Sequence, residues 1–171
     1  ERLAANITAM SEGRLTVKVY GAGELVPALE CFSAVASGTA QMGHDGAYYH
    51  TGKSEGCAFF TAFPFGFTAD EMVAWVRYGN GQKLWDELYA PFGIRAFLAG
   101  STGTQMLGWF KREIRSLEDL KGLKFRAPGN QGRVLQKLGV TPVSLAGSDI
   151  FPALQSGAID GAEWIGPYND L

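Results

Sequence analysis

The chain has 171 residues, a formal charge of −2, 46% apolar and 19% charged residues. That balance excludes a disordered chain, a collagen-like repeat and a basic nucleic-acid-binding surface, and no apolar run reaches the ~20 residues needed to span a bilayer. The length accommodates one domain or parts of two, with enough chain to bury a sizeable core. The sequence begins at Glu1 without a signal peptide and ends at Leu171, which fits either an unusual domain or a piece of something longer.

In chain order, Leu3, Ile7 and Met10 recur at helical spacing over 2–12, with Gly13 as a stop. Leu15, Val17 and Val19 alternate with Thr16 and Lys18 as a strand over 15–20, followed by a Gly21–Gly23 turn. Pro27 opens a helix whose buried stripe is Ala28, Cys31, Phe32 and Val35. A short strand over 41–45 follows, then a loop over 46–56 carrying Tyr48, Tyr49 and His50, then an aromatic run over 57–67 that reads as core. Thr68 and Glu71 form a capping box ahead of Met72, Val73 and Val76, and a further helix covers 80–90. Strands are expected at 94–98, 105–111, 123–126, 141–145 and 159–164, with helices at 130–138 and from a Ser148 cap to 156, Pro152 lying in the first turn of the latter. Residues 100–104 are a small-residue connector and a candidate boundary or hinge.

Alternating helices and strands predict an α/β fold with a largely parallel sheet. In such folds ligands sit beyond the carboxyl ends of strands, which selects Asp45 to Tyr49, Gln105, Arg126 to Asn130, and Glu163 with Trp164. Phosphate-binding glycine loops, a nucleophile elbow and zinc-binding His-Glu motifs are absent, and His44 and His50 are the only histidines. His44 reads as a packed or hydrogen-bonded strand residue, and Cys31 and Cys57 as two small buried hydrophobes rather than a metal pair.

Arg126 ends a strand just before Pro128 and Gly129, where a guanidinium is able to grip a small carboxylate through two parallel bonds or to lie on a surface loop. Glu163 beside Trp164 suits a buried ion pair, a hard-cation ligand or a turn cap. Gln105 points an amide into a cleft or pairs within the sheet, and one of Tyr48 and Tyr49 faces a cleft while the other turns away.

Several collinear blocks give a resemblance. Ser11 to Tyr20 with Gly23 to Leu25, Ser116 to Arg126, Leu138 to Val143 and Ala153 to Gly161 resemble the DctP-type extracytoplasmic solute receptors of tripartite ATP-independent periplasmic (TRAP) transporters. Phe63 to Phe67, Gly108 to Phe110 and Glu163 to Tyr168 resemble the subgroup that takes 2-oxo or 2-hydroxy monocarboxylates such as pyruvate or lactate.

The resemblance implies a two-lobed α/β receptor with a cleft, not an enzyme, in the periplasm and delivering its solute to TRAP membrane permease subunits. Residues 1–99 would be most of one lobe without its first strand, and 100–171 part of the other. The signal peptide and the C-terminal half would lie outside the chain. Carried over, Arg126 binds the carboxylate, while Gln105, Glu163 and the backbone of Trp164 hold a Na⁺ or Ca²⁺ ion. Trp164, Tyr48 or Tyr49 line the pocket and Asn130 adds a polar contact, with no organic cofactor and no nucleic acid involved. Other readings are a receptor for a different acid such as a C4-dicarboxylate, a small α/β enzyme using Glu163 as general base, or a cytoplasmic sensor.

Overall fold

The structure is a computed structural model that describes all 171 residues. Four helices precede the sheet: α1 (Arg2–Met10), α2 (Cys31–Ala36), α3 (Ala69–Tyr78) and α4 (Gly81–Tyr89). The second part runs β1 (Trp109–Phe110), β2 (Lys124–Arg126), α5 (Gly129–Lys137), β3 (Thr141–Val143), α6 (Gly147–Ser156), β4 (Gly161–Ala162) and α7 (Pro167–Asp170). No helix is long and apolar enough to cross a membrane.

The strands form one mixed sheet in the order β1-β4-β2-β3. β2 is parallel to both β3 and β4, with Arg126 opposite Val143 on one side and Ala162 on the other. β1 runs antiparallel to β4. Helices α5 and α6 make the crossovers that parallel pairing requires, so β2, β3 and β4 all end on the same side of the sheet.

Two apolar clusters carry the packing. The first gathers Phe32, Ala47, Cys57, Phe60, Trp85 and Tyr89. Its rings stack or meet edge-on, with Phe60 parallel to Trp85 at 4.8 Å and Phe32 edge-on to Tyr89 at 5.2 Å. The second gathers Leu120, Leu123, Phe125, Ala127, Leu135 and Val140 under the sheet.

Local signals explain the helix starts. The Thr68 hydroxyl accepts the Glu71 N–H while the Glu71 carboxylate accepts the Thr68 N–H, so two of the unpaired N–H groups at the start of α3 are satisfied reciprocally. Thr68→Ala is expected to lower stability by about 1 kcal/mol without changing the denaturant slope, as read by urea unfolding. The same box, built from Ser116 and Asp119, closes the single turn Leu117–Leu120.

The structure corrects the sequence reading in several places. Residues 15–20, 41–45 and 94–98 are not strands, and 105–111, 141–145 and 159–164 shrink to two or three paired residues each. Alternation marks which side chains face an apolar neighbour, but a strand also needs an adjacent backbone to take its N–H groups. Ile94, Ala96 and Leu98 do pack on the first cluster, yet no strand lies beside them. Leu15 and Val19 are exposed, and the Leu15 N–H goes to the Ser11 hydroxyl.

The aromatic run contributes Phe60 to the core but leaves Phe59, Phe63, Phe65 and Phe67 exposed. Helix α6 starts one residue before Ser148, with Ala146 as its cap, so Pro152 falls inside the helix rather than in its first turn. Cys57 is fully buried, Cys31 is half-buried, and both thiols are free. His44 is exposed and its ring makes no hydrogen bond; the buried histidine is His50.

Candidate functional site

The parallel register brings three strand ends together. Arg126 closes β2, Leu145 follows β3, and Glu163 with Trp164 follows β4. The Glu163 N–H donates to the Arg126 carbonyl at 3.0 Å, which locks the two residues side by side. Arg126 is 0% exposed, the most deeply buried charged residue of the chain.

Four of the five guanidinium N–H groups are engaged. Nη1 donates to Glu163 Oε1 at 2.6 Å and to the Glu163 carbonyl at 2.9 Å. Nε donates to the Leu145 carbonyl at 3.2 Å, and Nη2 donates to the Tyr49 hydroxyl at 2.9 Å. One N–H on Nη2 is left over. The Trp164 ring lies over the guanidinium at 5.2 Å and the Tyr49 ring at 6.0 Å, within cation–π reach.

Burial pushes the Glu163 carboxyl from its ordinary 4.5 up to about 7, opposed by the Arg126 charge and reinforced by Asp170. Its Oε2 accepts no hydrogen bond within the protein. The site therefore presents one free donor and one free carboxylate oxygen at adjacent strand ends.

Tyr48 and Tyr49 come from the single turn Ala47–His50. Tyr48 donates to the Tyr49 hydroxyl at 3.3 Å, and burial followed by that bond drives the Tyr48 phenol above the usual tyrosine range. Close approach of α5 to this turn depends on Gly129, whose φ of +61° suits glycine and whose added Cβ would stand 3.0 Å from the Tyr48 Cβ. Tyr49→Phe removes the acceptor for a buried guanidinium N–H and is expected to cost about 1–2 kcal/mol of stability, measurable by urea unfolding.

Gln105 lies next to Met106, whose N–H donates to the Ile165 carbonyl at 3.1 Å, so the connector runs beside the Glu163–Ile165 segment. Its amide Nε2 donates to Thr102 at 3.2 Å, leaving the amide oxygen without a partner. No hydrogen bond joins Gln105 to Arg126 or Glu163. Asn130, the second residue of α5, is half-buried with no side-chain hydrogen bond, and nothing links it to Arg126. Arg126, Glu163, Trp164 and Tyr49 are thus brought together, with Tyr48 behind Tyr49.

Two supporting residues had no clear sequence signal. His50 Nε2 pairs with the Asp45 carboxylate, clasping the turn that carries both tyrosines, and its ring packs on Phe32 at 4.7 Å. In the sequence Asp45 stands out only as one member of a strand-end stretch, and His50 only as a loop residue. Asp170 accepts the Ile165 N–H and the Trp109 indole N–H, the latter at 2.8 Å, and so braces the loop after Trp164. A carboxylate seven residues beyond Glu163 is legible only once the chain is seen to turn back through α7.

Carboxylate and amide oxygens such as those of Glu163 and Gln105 are donor types that a hard cation takes. No group of three His, Cys, Asp or Glu residues gathers to complete a shell from side chains alone, so backbone carbonyls or ligand oxygens would have to supply the rest. A groove of about 220 Å³ runs beside the site, with Tyr48 and Tyr49 on one wall and Gly129, Arg133 and Val143 on the other. The larger cavity, about 310 Å³ among Lys111, Arg112, Lys121 and Asp160, lies at the amino ends of β2 and β4, away from Arg126.

A buried charge pair at the carboxyl ends of parallel strands stands where α/β folds place a small ligand. The chain belongs to the family described as bacterial extracellular solute-binding protein, family 7 (DctP), which matches residues 1–169. It is 48% identical over 170 residues to the monocarboxylate 2-oxoacid-binding periplasmic protein of Nostoc sp., covering 99% of this chain and 47% of that one. A TRAP periplasmic solute-binding protein from Pseudoalteromonas atlantica, solved with bound sodium and pyruvate, is similar at TM-score 0.95 and 46% identity, over 98% of this chain and 51% of that one. A TRAP solute-binding protein from Bordetella bronchiseptica, with calcium and picolinate in its active site, is similar at TM-score 0.95 and 40% identity, over 98% and 50%. The chain spans about half the length of the relatives it matches.

Proposed function

We propose that the chain is the part of a periplasmic TRAP receptor that captures a small 2-oxo or 2-hydroxy monocarboxylate, pyruvate- or lactate-like, and hands it to the membrane permease without chemical change. The observation that carries this reading is the buried Arg126–Glu163 pair at the carboxyl ends of β2 and β4, with one free N–H and one free carboxylate oxygen. Residues 1–99 and 100–171 belong to two lobes in this reading, and Tyr49 reaches Arg126 across the cleft between them.

A buried carboxylate needs matched charge, because an unpaired buried ion costs several kcal/mol. Once Glu163 is ionised it balances Arg126, so an incoming acid leaves the site one negative charge in excess. A Na⁺ or Ca²⁺ ion at Glu163 Oε2, Gln105 and the Trp164 backbone would balance that charge and bind the 2-oxo or 2-hydroxy oxygen. The remaining Nη2–H of Arg126 meets the ligand carboxylate while Leu145, Tyr49 and the Glu163 backbone hold the guanidinium plane still. Trp164 and the tyrosine pair exclude water from the charged centre. The support is twofold: the site geometry, and a 48%-identical relative named for binding 2-oxoacids.

Calorimetry of the full-length protein tests this, with pyruvate, lactate and succinate titrated with and without Na⁺ or Ca²⁺. Cation-dependent binding of pyruvate or lactate is expected. Absence of heat with both, under every cation condition, overturns the proposal, and tight succinate binding would move the ligand class to dicarboxylates.

A further inference from the structure

Gly147, the first residue of α6, lies against Trp164. A Cβ built on it would stand 2.7 Å from the Trp164 Cη2 and 3.0 Å from Cζ3. Backbone conformation does not call for a glycine here, because the φ of Gly147 lies outside the left-handed region that does so at Gly129. An alanine is also the better helix former at this position. The feature that an alanine would disturb is the seat of the indole, and that indole covers the Arg126 guanidinium at 5.2 Å.

We propose that Gly147 determines how long an acid the site accepts. Lacking a side chain, it lets the Trp164 indole lie back on the start of α6. The space beside the free Nη2–H of Arg126 then stays open for the acid's carbon chain. A methyl group at 147 forces the indole to retreat by most of an ångström, since carbon atoms settle at about 3.5–4.0 Å. Leu145, two residues before α6, is held to Arg126 through its carbonyl, so the indole gives way rather than the helix. It moves off α6 into the site and shortens the pocket. Longer acids lose affinity while the shortest keep theirs. The inference rests on the function proposed above and names a residue that sets its substrate range.

The test is calorimetry on full-length wild type, Gly147→Ala, Trp164→Phe and the double variant, with pyruvate and the two-carbon-longer 2-oxopentanoate. In Gly147→Ala, pyruvate affinity is expected to change by less than about threefold and 2-oxopentanoate affinity to fall by about tenfold or more. Phenylalanine lacks the ring atoms that meet position 147, so Gly147→Ala is expected to have no effect on the ratio in the Trp164→Phe background. The Trp164 indole N–H resonance, assigned by its loss in Trp164→Phe, is expected to shift in unliganded Gly147→Ala. A merely structural role would weaken both acids alike. If wild type binds both acids and Gly147→Ala keeps or raises the wild-type ratio, this inference alone is overturned. If wild type binds pyruvate but not 2-oxopentanoate, this inference alone is overturned, because the space it assigns is then closed; if wild type binds neither pyruvate nor lactate, the proposed function is overturned and this inference with it.

Discussion

Arg126→Lys is expected to weaken binding of the 2-oxo acid by about two orders of magnitude while keeping the formal charge. The reason is geometric. Arg126 reaches the Leu145 carbonyl, the Tyr49 hydroxyl and two Glu163 oxygens from three nitrogens of one plane. A lysine ammonium has three donors on a single atom and cannot reach all four acceptors while offering another hydrogen bond to a ligand. Losing the one oriented, charge-assisted bond from Nη2 to the ligand carboxylate, at roughly 1.5–3 kcal/mol, accounts for that loss. Calorimetry with pyruvate checks it, and affinity within a few-fold of wild type would remove Arg126 from the ligand. The variant also takes a donor from the Leu145 carbonyl and one of two donors from the Tyr49 hydroxyl, so unfolding midpoints fall in parallel.

Glu163→Gln is expected to abolish the cation dependence of ligand binding and to flatten the pH dependence of stability. The Glu163 carboxyl is raised from 4.5 to about 7, chiefly by burial. A raised carboxyl means that the folded protein holds a proton which the unfolded chain has already released. Stability attributable to this group is therefore greatest below about pH 4.5 and declines as pH rises towards 7, by roughly 3 kcal/mol across the window. Glutamine is neutral throughout and removes that slope. In wild type, added Ca²⁺ opposes the decline, because a cation favours the charged carboxylate. Thermal midpoints measured from pH 4.5 to 8, with and without Ca²⁺, distinguish the two proteins. A wild-type midpoint that rises steadily through this range would contradict the burial argument.

The charged centre was legible in the sequence and its supports were not. Arg126 and Glu163 each follow a short apolar stretch that reads as a strand, and parallel strands end on one side, so their convergence follows from strand order. Trp164 came with Glu163, and Tyr49 with the turn after Asp45. His50 escaped because its burial depends on Phe32, eighteen residues earlier, and its partner is a carboxylate five residues back. The strands expected over 15–20, 41–45 and 94–98 failed for a related reason: periodicity describes one chain segment, whereas a ladder is a property of two. At Gly147 the sequence shows only a glycine near a helix start, and its meaning lies in the indole that arrives from seventeen residues later.

The two apolar clusters have a consequence for how the site comes into being. The first is assembled from residues 32–89 and the second from residues 120–140, each from its own contiguous stretch. Each can condense through contacts of modest sequence separation. The bond from Arg126 to Tyr49 instead closes a span of 77 residues and becomes favourable only once both partners are already placed. Docking of Tyr49 onto the charged centre is accordingly the late event of folding. Substitutions at Tyr49 should hasten unfolding and leave the refolding rate nearly untouched, the kinetic signature of a contact absent from the transition state.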